Sequence, residues 1–143
     1  MRSYPERPIV GVGAVILDGD RVVLVRRGSE PLKGLWSIPG GAVEIGETCP
    51  EAIAREVLEE TGLVVEVGPI AAVVDRIRRD EDGRVAFHYV LVDYVCRAVG
   101  GTLAAASDAA ECAWVPVAEA GRFDLTEGTL AVIQDAARSV PGR

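Results

Sequence analysis

The sequence holds few of the residues that build zinc sites and disulfide frameworks. His88 is the only histidine, and the three cysteines, at 49, 96 and 112, form no Cys-x-x-Cys pair. Structural zinc needs clustered Cys and His ligands, and small secreted domains need a dense, even set of cysteines. The sequence therefore argues against both classes, and we expect reduced thiols in a cytoplasmic protein.

Positive charge and long apolar runs are also scarce. The 143 residues carry 15 Lys and Arg against 22 Asp and Glu, a net charge of -7. Nucleic-acid binders usually show a basic footprint, so we expect no nucleic-acid polymer as partner. The longest clean apolar run, Ile9 to Leu17, is too short to span a bilayer, and no signal-peptide cleavage pattern follows it. A small phosphate compound remains compatible if a divalent cation screens the charge.

The remaining composition is that of an ordinary globular chain, with 49% hydrophobic and 26% charged residues and no linker or repeat. It predicts one domain over residues 1–143. The apolar patterns predict long strands at 9–17, 21–27, 63–77 and 84–99, and helices at 48–62 and 126–140. They also predict one short strand that enters a glycine-rich turn within 35–47, and another short strand at 112–117. We expect an α/β fold with the sheet between the helices.

The first predicted helix has complete end signals. Thr48 is a suitable N-cap, Glu51 completes a capping box, Pro50 lies in the first turn and Gly62 ends the helix. Its predicted apolar stripe is Ile53, Ala54, Val57 and Leu58. For the second helix, Thr126 is the predicted cap, and the predicted stripe is Leu130, Ile133 and Ala137.

Three acids of the first helix, Glu56, Glu59 and Glu60, lie on the arc beside that stripe. Residues three and four apart share one face, so these like charges repel. Alone, the string "EVLEE" predicts a solvated face. Alternatively, three carboxylates at this spacing offer the hard oxygen ligands that Mg²⁺ and Mn²⁺ prefer.

The longer segment "GAVEIGETCPEAIAREVLEETGL", Gly41 to Leu63, favours the metal interpretation. It resembles the Nudix box, the signature of the Nudix hydrolase family, at every fixed position. Those positions are Gly41, Glu47, Arg55, Glu56, Val57, Glu59, Glu60, Gly62 and Leu63. With ordinary residue frequencies, chance gives such a match roughly once in 10⁸ start positions.

The resemblance implies an α/β/α Nudix sandwich with a mixed sheet, a homodimer, and hydrolysis of a pyrophosphate bond with Mg²⁺ or Mn²⁺. It implies metal ligands at Glu56, Glu59, Glu60 and the Gly40 carbonyl, with Arg55 orienting the glutamates and Glu47 supporting them. A further acid usually precedes the last strand; we prefer Asp108 over Glu111. Which carboxylate acts as general base stays open.

The substrate is set outside the box. The position where ADP-ribose members often carry proline falls near Arg79, and that of the diadenosine-polyphosphate tyrosine falls at Asp80. The strings "GLWSIPGGAVEIGET" and "FHYVLVDYVC" are most similar to the ADP-ribose pyrophosphatase group. That similarity implies a nucleoside diphosphate derivative as substrate. Hydrolysis of (deoxy)nucleoside triphosphates and non-catalytic nucleotide sensing are the alternatives.

Several residues outside the box are candidate substrate contacts. Arg27, at the end of a strand beside Arg26, can bind phosphate or simply end the strand. Phe87 and Tyr89 can form a stacking platform or belong to the core. His88 lies in the same apolar strand, where we expect a structural role.

Overall fold

The computed structural model describes residues 3–140, in which a seven-stranded mixed sheet carries a helix on each face. The strands are β1 (Ile9–Asp18), β2 (Arg21–Arg27), β3 (Trp36–Ser37), β4 (Gly40–Ala42), β5 (Leu63–Arg79), β6 (Val85–Gly101) and β7 (Ala109–Pro116), and the helices are α1 (Cys49–Thr61) and α2 (Thr129–Ser139). A 3₁₀ turn, Val117–Arg122, follows β7.

The sheet has the strand order β3-β2-β1-β6-β5, with β4 paired to β1 and β7 paired to β2. Only β1 and β6 run parallel among the described strand pairs. The predicted α/β sandwich with a mixed sheet is therefore confirmed.

Alternate residues of β1 enter two separate cores. Val12, Ala14 and Ile16 pack with α1, whereas Val15 and Leu17 pack with α2. Successive strand residues point to opposite faces, so one apolar strand supplies both cores. Burying each of the larger side chains contributes roughly 1.5–3 kcal/mol.

The predicted ends of α1 are confirmed. The Thr48 amide donates to Glu51 Oε1 at 2.9 Å, and the Glu51 amide donates to Thr48 Oγ1 at 3.2 Å. Gly62 has a φ of 75°, and its amide donates to the Leu58 carbonyl at 3.0 Å. The left-handed conformation at this position is one that glycine adopts without penalty.

The predicted apolar stripe of α1 is partly wrong. Leu58 is 53% exposed and Ala54 is only half-buried, while Ala52 is fully buried. The packing face is centred on Ile53 and Val57. Leu58 lies about 100° around the helix from Val57, which carries it past the sheet.

The predicted cap of α2 is also wrong. Gly128 is the N-cap, and α2 begins at Thr129. The Thr126 amide donates to the Trp36 carbonyl at 2.9 Å, so its backbone bridges to β3 instead of starting the helix. The predicted stripe holds, with Ile133 and Ala137 buried and Leu130 half-buried.

Neither helix in residues 3–140 combines the length and apolar content needed to cross a membrane. The three cysteines are free thiols.

Candidate active site

One glycine of β4 lets the acidic face of α1 approach the sheet, and the glycine before it binds that face through its amide. A side chain at Gly41 would collide with the carboxylate of Glu56. The amide of Gly40 donates to Glu60 Oε1 at 2.9 Å. The glycine-rich segment therefore brings two carboxylates of α1 against the edge of β4.

Arg55 holds the other acids of the box together. Its Nε and Nη2 donate to the two oxygens of Glu47 at 2.6 and 2.9 Å. Its Nη1 donates to Glu56 Oε1 at 2.9 Å and to Glu59 Oε2 at 3.3 Å. Nη2 also reaches the Ala42 carbonyl at 3.2 Å, which ties the cluster to β4.

This network fixes the charge of both Arg55 and Glu47. The hydrogen bond from Arg55 is the main cause that lowers the pKa of Glu47 to about 2, with the Glu44 amide adding to it. The same bond raises the pKa of Arg55 above its ordinary value. A bidentate guanidinium–carboxylate pair has the geometry needed to hold a side chain in one orientation.

Glu60 is the most buried acid of the cluster, at 8% exposure. Burial raises the pKa of its carboxyl to about 7, and the Gly40 hydrogen bond opposes that rise. The charges of Glu56 and Asp108 add to it, and that of Arg27 opposes it. Burial likewise raises the pKa of Glu56, against the hydrogen bond from Arg55.

These electrostatic effects show that Asp108 and Arg27 lie near the glutamates. Asp108 acts on both Glu56 and Glu60, and its carbonyl accepts from the Gly28 amide at 2.8 Å, beside Arg27. Asp108 is therefore close enough for its charge to act on both glutamates. Its role stays a prediction.

The neighbouring pair is arranged differently. Arg26 donates to Glu111 Oε1 at 2.7 and 3.1 Å, so each side chain has the other as partner. Arg27 instead donates from Nε to the Pro31 carbonyl at 2.7 Å, and its contact with a phosphate stays a prediction.

The predicted aromatic contacts lie on another part of the sheet. Tyr89 is half-buried on the face that α2 covers, with Cδ1 3.7 Å from the ideal Cβ position of Gly11. Phe87 is half-buried and, by strand alternation, points to the same face. The structure thus places both across the sheet from α1, which carries the glutamates. Their contact with substrate stays a prediction.

The donor set fits a divalent metal ion held with the help of other ligands. Within residues 3–140, no three His, Cys, Asp or Glu side chains are arranged to hold a metal by themselves. Mg²⁺, however, usually binds one or two carboxylates together with waters and substrate phosphates. Glu56 and Glu60 are hard oxygen donors whose raised pKa values reflect burial and neighbouring negative charge, and a cation would relieve both effects.

Sequence reasoning missed two charged residues on the α2 side of the sheet. Asp93 of β6 is 6% exposed, and Arg76 of β5 is the charge that acts on it. A signal was present, because Asp93 interrupts the apolar run "YVLVDYV" and ionised side chains are rarely buried without a reason.

Fold and site together define an α/β/α domain with an acidic loop-and-helix motif. The NUDIX domain family model matches residues 7–136, and the chain belongs to the Nudix hydrolase family. Hydrolases of this family generally use divalent metal ions.

The relatives of this chain include proteins named for two different activities. The chain is 38% identical over 104 residues to an ADP-ribose pyrophosphatase of Methanocaldococcus jannaschii, covering 73% of this chain and 59% of the relative. It is 37% identical over 135 residues to a candidate 8-oxo-dGTP diphosphatase of Mycobacterium tuberculosis, covering 94% and 91%. A MutT Nudix hydrolase of Burkholderia pseudomallei has a TM-score of 0.77 at 29% identity, covering 91% of this chain and 98% of its own.

Proposed function

We propose that this protein is a Nudix pyrophosphohydrolase that cleaves a nucleoside diphosphate derivative, with ADP-ribose as the leading substrate. The observation that carries the proposal is the cluster at β4, where buried Glu60 and half-buried Glu56 lie near Asp108 with raised pKa values. The acids of this site outnumber its arginines, and their carboxylates offer oxygen ligands beside strand β4. The archaeal ADP-ribose pyrophosphatase relative supports the substrate, although the chain spans only 59% of its length.

Mg²⁺ or Mn²⁺ would be held by Glu56, Glu59 and Glu60, with the Gly40 carbonyl and Asp108 as further ligands. When bound, such an ion polarises a phosphoryl oxygen, lowers the pKa of a water and offsets the leaving group's charge. Arg55 and Glu47 keep the ligand carboxylates in place. Arg27 lies near Glu60 and supplies the positive charge that positions a phosphate.

A second candidate is hydrolysis of (deoxy)nucleoside triphosphates, including oxidised ones. The mycobacterial relative favours it, because that alignment covers nearly the whole of both chains. A nucleotide-sensing module without turnover is the third candidate. The complete set of box glutamates argues against it.

The test is phosphate release from ADP-ribose, nucleotide sugars, dinucleotides and (d)NTPs, with Mg²⁺, with Mn²⁺ and with chelator. We expect metal-dependent turnover, fastest with ADP-ribose. Fastest turnover of a (d)NTP would favour the second candidate. Tight nucleotide binding with no turnover of any compound would overturn the enzyme proposal.

The glutamate variant Glu59→Gln tests the metal site within the same assay. Several kcal/mol of lost charge stabilisation corresponds to a fall in turnover of roughly 100-fold or more. Glu66→Gln is the matched control, because Glu66 is exposed on β5 and pairs with Arg97 at 3.1 Å. Equal activity of the two variants would contradict the assignment.

We also propose a homodimer. Support comes from β5, which ends the strand order of the sheet and exposes Ile70 by 57%, Val73 by 63% and Ile77 by 50%. Sedimentation equilibrium tests the proposal, and a monomer at micromolar concentration would refute it.

A further inference from the structure

Asp93 is a buried carboxylate that the proposed chemistry does not use. Asp93 is 6% exposed, so 94% of its surface is buried. No described residue donates a hydrogen bond to it. Burying an ionised group without partners is unfavourable. No side-chain oxygen in residues 3–140 is both fully enclosed and unpartnered, so each Asp93 oxygen keeps at least a small solvent-accessible area. The carboxylate is thus available to a ligand.

The strands beside Asp93 lead toward the glutamates, and Cδ1 of Ile38 lies 3.0 Å from the ideal Cβ position of Gly13 between them. Gly13 of β1 pairs with Asp93 on one side and with Gly40 of β4 on the other. A side chain at Gly13 would collide with Asp93 Oδ1. Gly40 in turn holds Glu60 through its amide. Two strand spacings, about 10 Å in total, separate Asp93 from Gly40, which is comparable to the span of a nucleoside 5′-phosphate.

Arg76 supplies donors next to this acceptor. It pairs with Tyr89 across β5 and β6, and its guanidinium nitrogens lie 3.2 and 3.3 Å from the ideal Cβ position of Gly128, at the start of α2. Its charge acts on Asp93 without a hydrogen bond between the two. The pair therefore presents an acceptor and several donors side by side. Tyr89 and Leu91, both beside Gly11, form the neighbouring apolar wall.

We infer that Asp93 and Arg76 are specificity-determining residues that bind the hydrogen-bonding edge of the substrate's nucleobase. Asp93 accepts from amino and ring N–H groups, and Arg76 donates to ring nitrogen or carbonyl acceptors, as these side chains do on base edges elsewhere. The sugar and phosphate would extend past Ile38, across β1 and β4, toward Glu60. This inference rests on the proposed function, since it places the phosphates at the box glutamates.

Binding of nucleoside monophosphates tests the inference without requiring turnover. Calorimetric titration would compare GMP with IMP, and AMP with purine riboside monophosphate, because each pair differs by one amino group. Discrimination by one good base contact corresponds to roughly 5- to 100-fold in affinity. We expect wild-type protein to prefer the amino-bearing member of at least one pair by that factor. Asp93→Asn replaces one of the two acceptor oxygens by an NH₂ donor, which cannot accept from the amino group, so it should reduce the preference to within about 2-fold.

Controls separate specificity from folding. Asp75→Asn removes an exposed carboxylate of β5 and should leave the preference unchanged. Arg76→Gln should weaken binding of both members of a pair, which gives a second test if Asp93→Asn does not fold. In steady-state assays, Asp93→Asn should raise KM for the amino-bearing substrate with little change in kcat.

The outcomes distinguish this inference from the proposed function. If no compound is turned over but binding of nucleoside monophosphates depends on Asp93, the proposed enzyme activity is wrong and the proposed nucleobase site is supported. Normal turnover in Asp93→Asn, with unchanged KM and unchanged preference within every pair, would overturn the inference. A preference in wild type that depends on neither Asp93 nor Arg76 would do the same.

Discussion

Burial makes the negative charge of Glu60 unfavourable in the folded protein. The variant Glu60→Gln measures how much free energy of folding this charge costs. The group has an ordinary pKa of 4.5, which the fold raises to about 7. Each pKa unit corresponds to about 1.36 kcal/mol, so ionised Glu60 destabilises the folded protein by about 3 kcal/mol. Glutamine has similar shape and keeps an oxygen that accepts the Gly40 amide. We therefore expect Glu60→Gln to be inactive but more stable than wild type.

The pH dependence gives the sign of the effect. Below about pH 4.5 Glu60 is protonated in both folded and unfolded protein, so the variant has no advantage. Between pH 4.5 and 7 the unfolded chain loses its proton first, and wild-type stability falls as the pH rises. Above pH 7 the full difference of about 3 kcal/mol is present.

Urea unfolding followed by circular dichroism, in chelator, measures this difference at pH 4 and pH 8. Glu59→Gln is the matched control, since the Glu59 side chain is 46% exposed and its loss should change stability little. Adding Mg²⁺ at pH 8 should stabilise wild type and narrow the gap, because a ligand of the folded state raises its stability. A Glu60→Gln variant no more stable than wild type at pH 8 would refute the reasoning. So would a gain of equal size at both pH values.

Three further predictions concern the support of the site and the core. Arg55→Lys keeps the charge but loses the fork that holds Glu47 and Glu56, and steady-state assays should show roughly 10–100-fold lower kcat/KM with an unchanged circular dichroism spectrum. Wild-type rates would contradict the role of Arg55. Ile53→Ala should lower the free energy of unfolding by about 2–5 kcal/mol in urea titrations, because the Ile53 side chain of α1 is fully buried against β1. A loss below about 1 kcal/mol would mean that neighbouring side chains move to fill the cavity. Thr48→Ala should cost about 1 kcal/mol in the same titration by removing the cap of α1, and no change would mean that the Thr48 hydroxyl is replaceable by water.

Features written in adjacent residues could be predicted from the sequence. The ends of α1 follow from Thr48, Glu51 and Gly62, which act within a few residues of one another. The acid cluster is readable because helical spacing alone places Glu56, Glu59 and Glu60 together. The long strands were predicted as elements, although β6 extends to Gly101, two residues beyond the predicted end. The prediction of a glycine-rich turn was wrong at Gly40–Ala42, which forms β4 by pairing with β1.

Features decided by distant partners were less accessible. Leu58 is exposed because the sheet contacts only a narrow stripe of α1, which periodicity alone cannot centre. Thr126 is not the cap because α2 begins only at Thr129, and the Thr126 hydroxyl pairs with the Thr129 hydroxyl instead of a helix amide. The Thr126 amide is bound to the distant Trp36 carbonyl of β3. The surroundings of Asp93 depend on the pairing of β6 with Gly13 of β1. The register of that pairing cannot be predicted from either segment alone.

The parallel pairing of β1 with β6 also determines when this protein can complete its fold. Ile9 lies opposite Tyr89, so the central pairing joins residues that are 80 positions apart in the sequence. The whole of α1 and β4 lies within the loop that this pairing closes. Contacts between distant segments slow folding, because chain entropy is lost before the contacts can compensate for it. A ribosome must therefore release β6 before β1 can find its parallel partner. Until then, α1 can form its capped helix while its carboxylates lack the finished sheet that orders them.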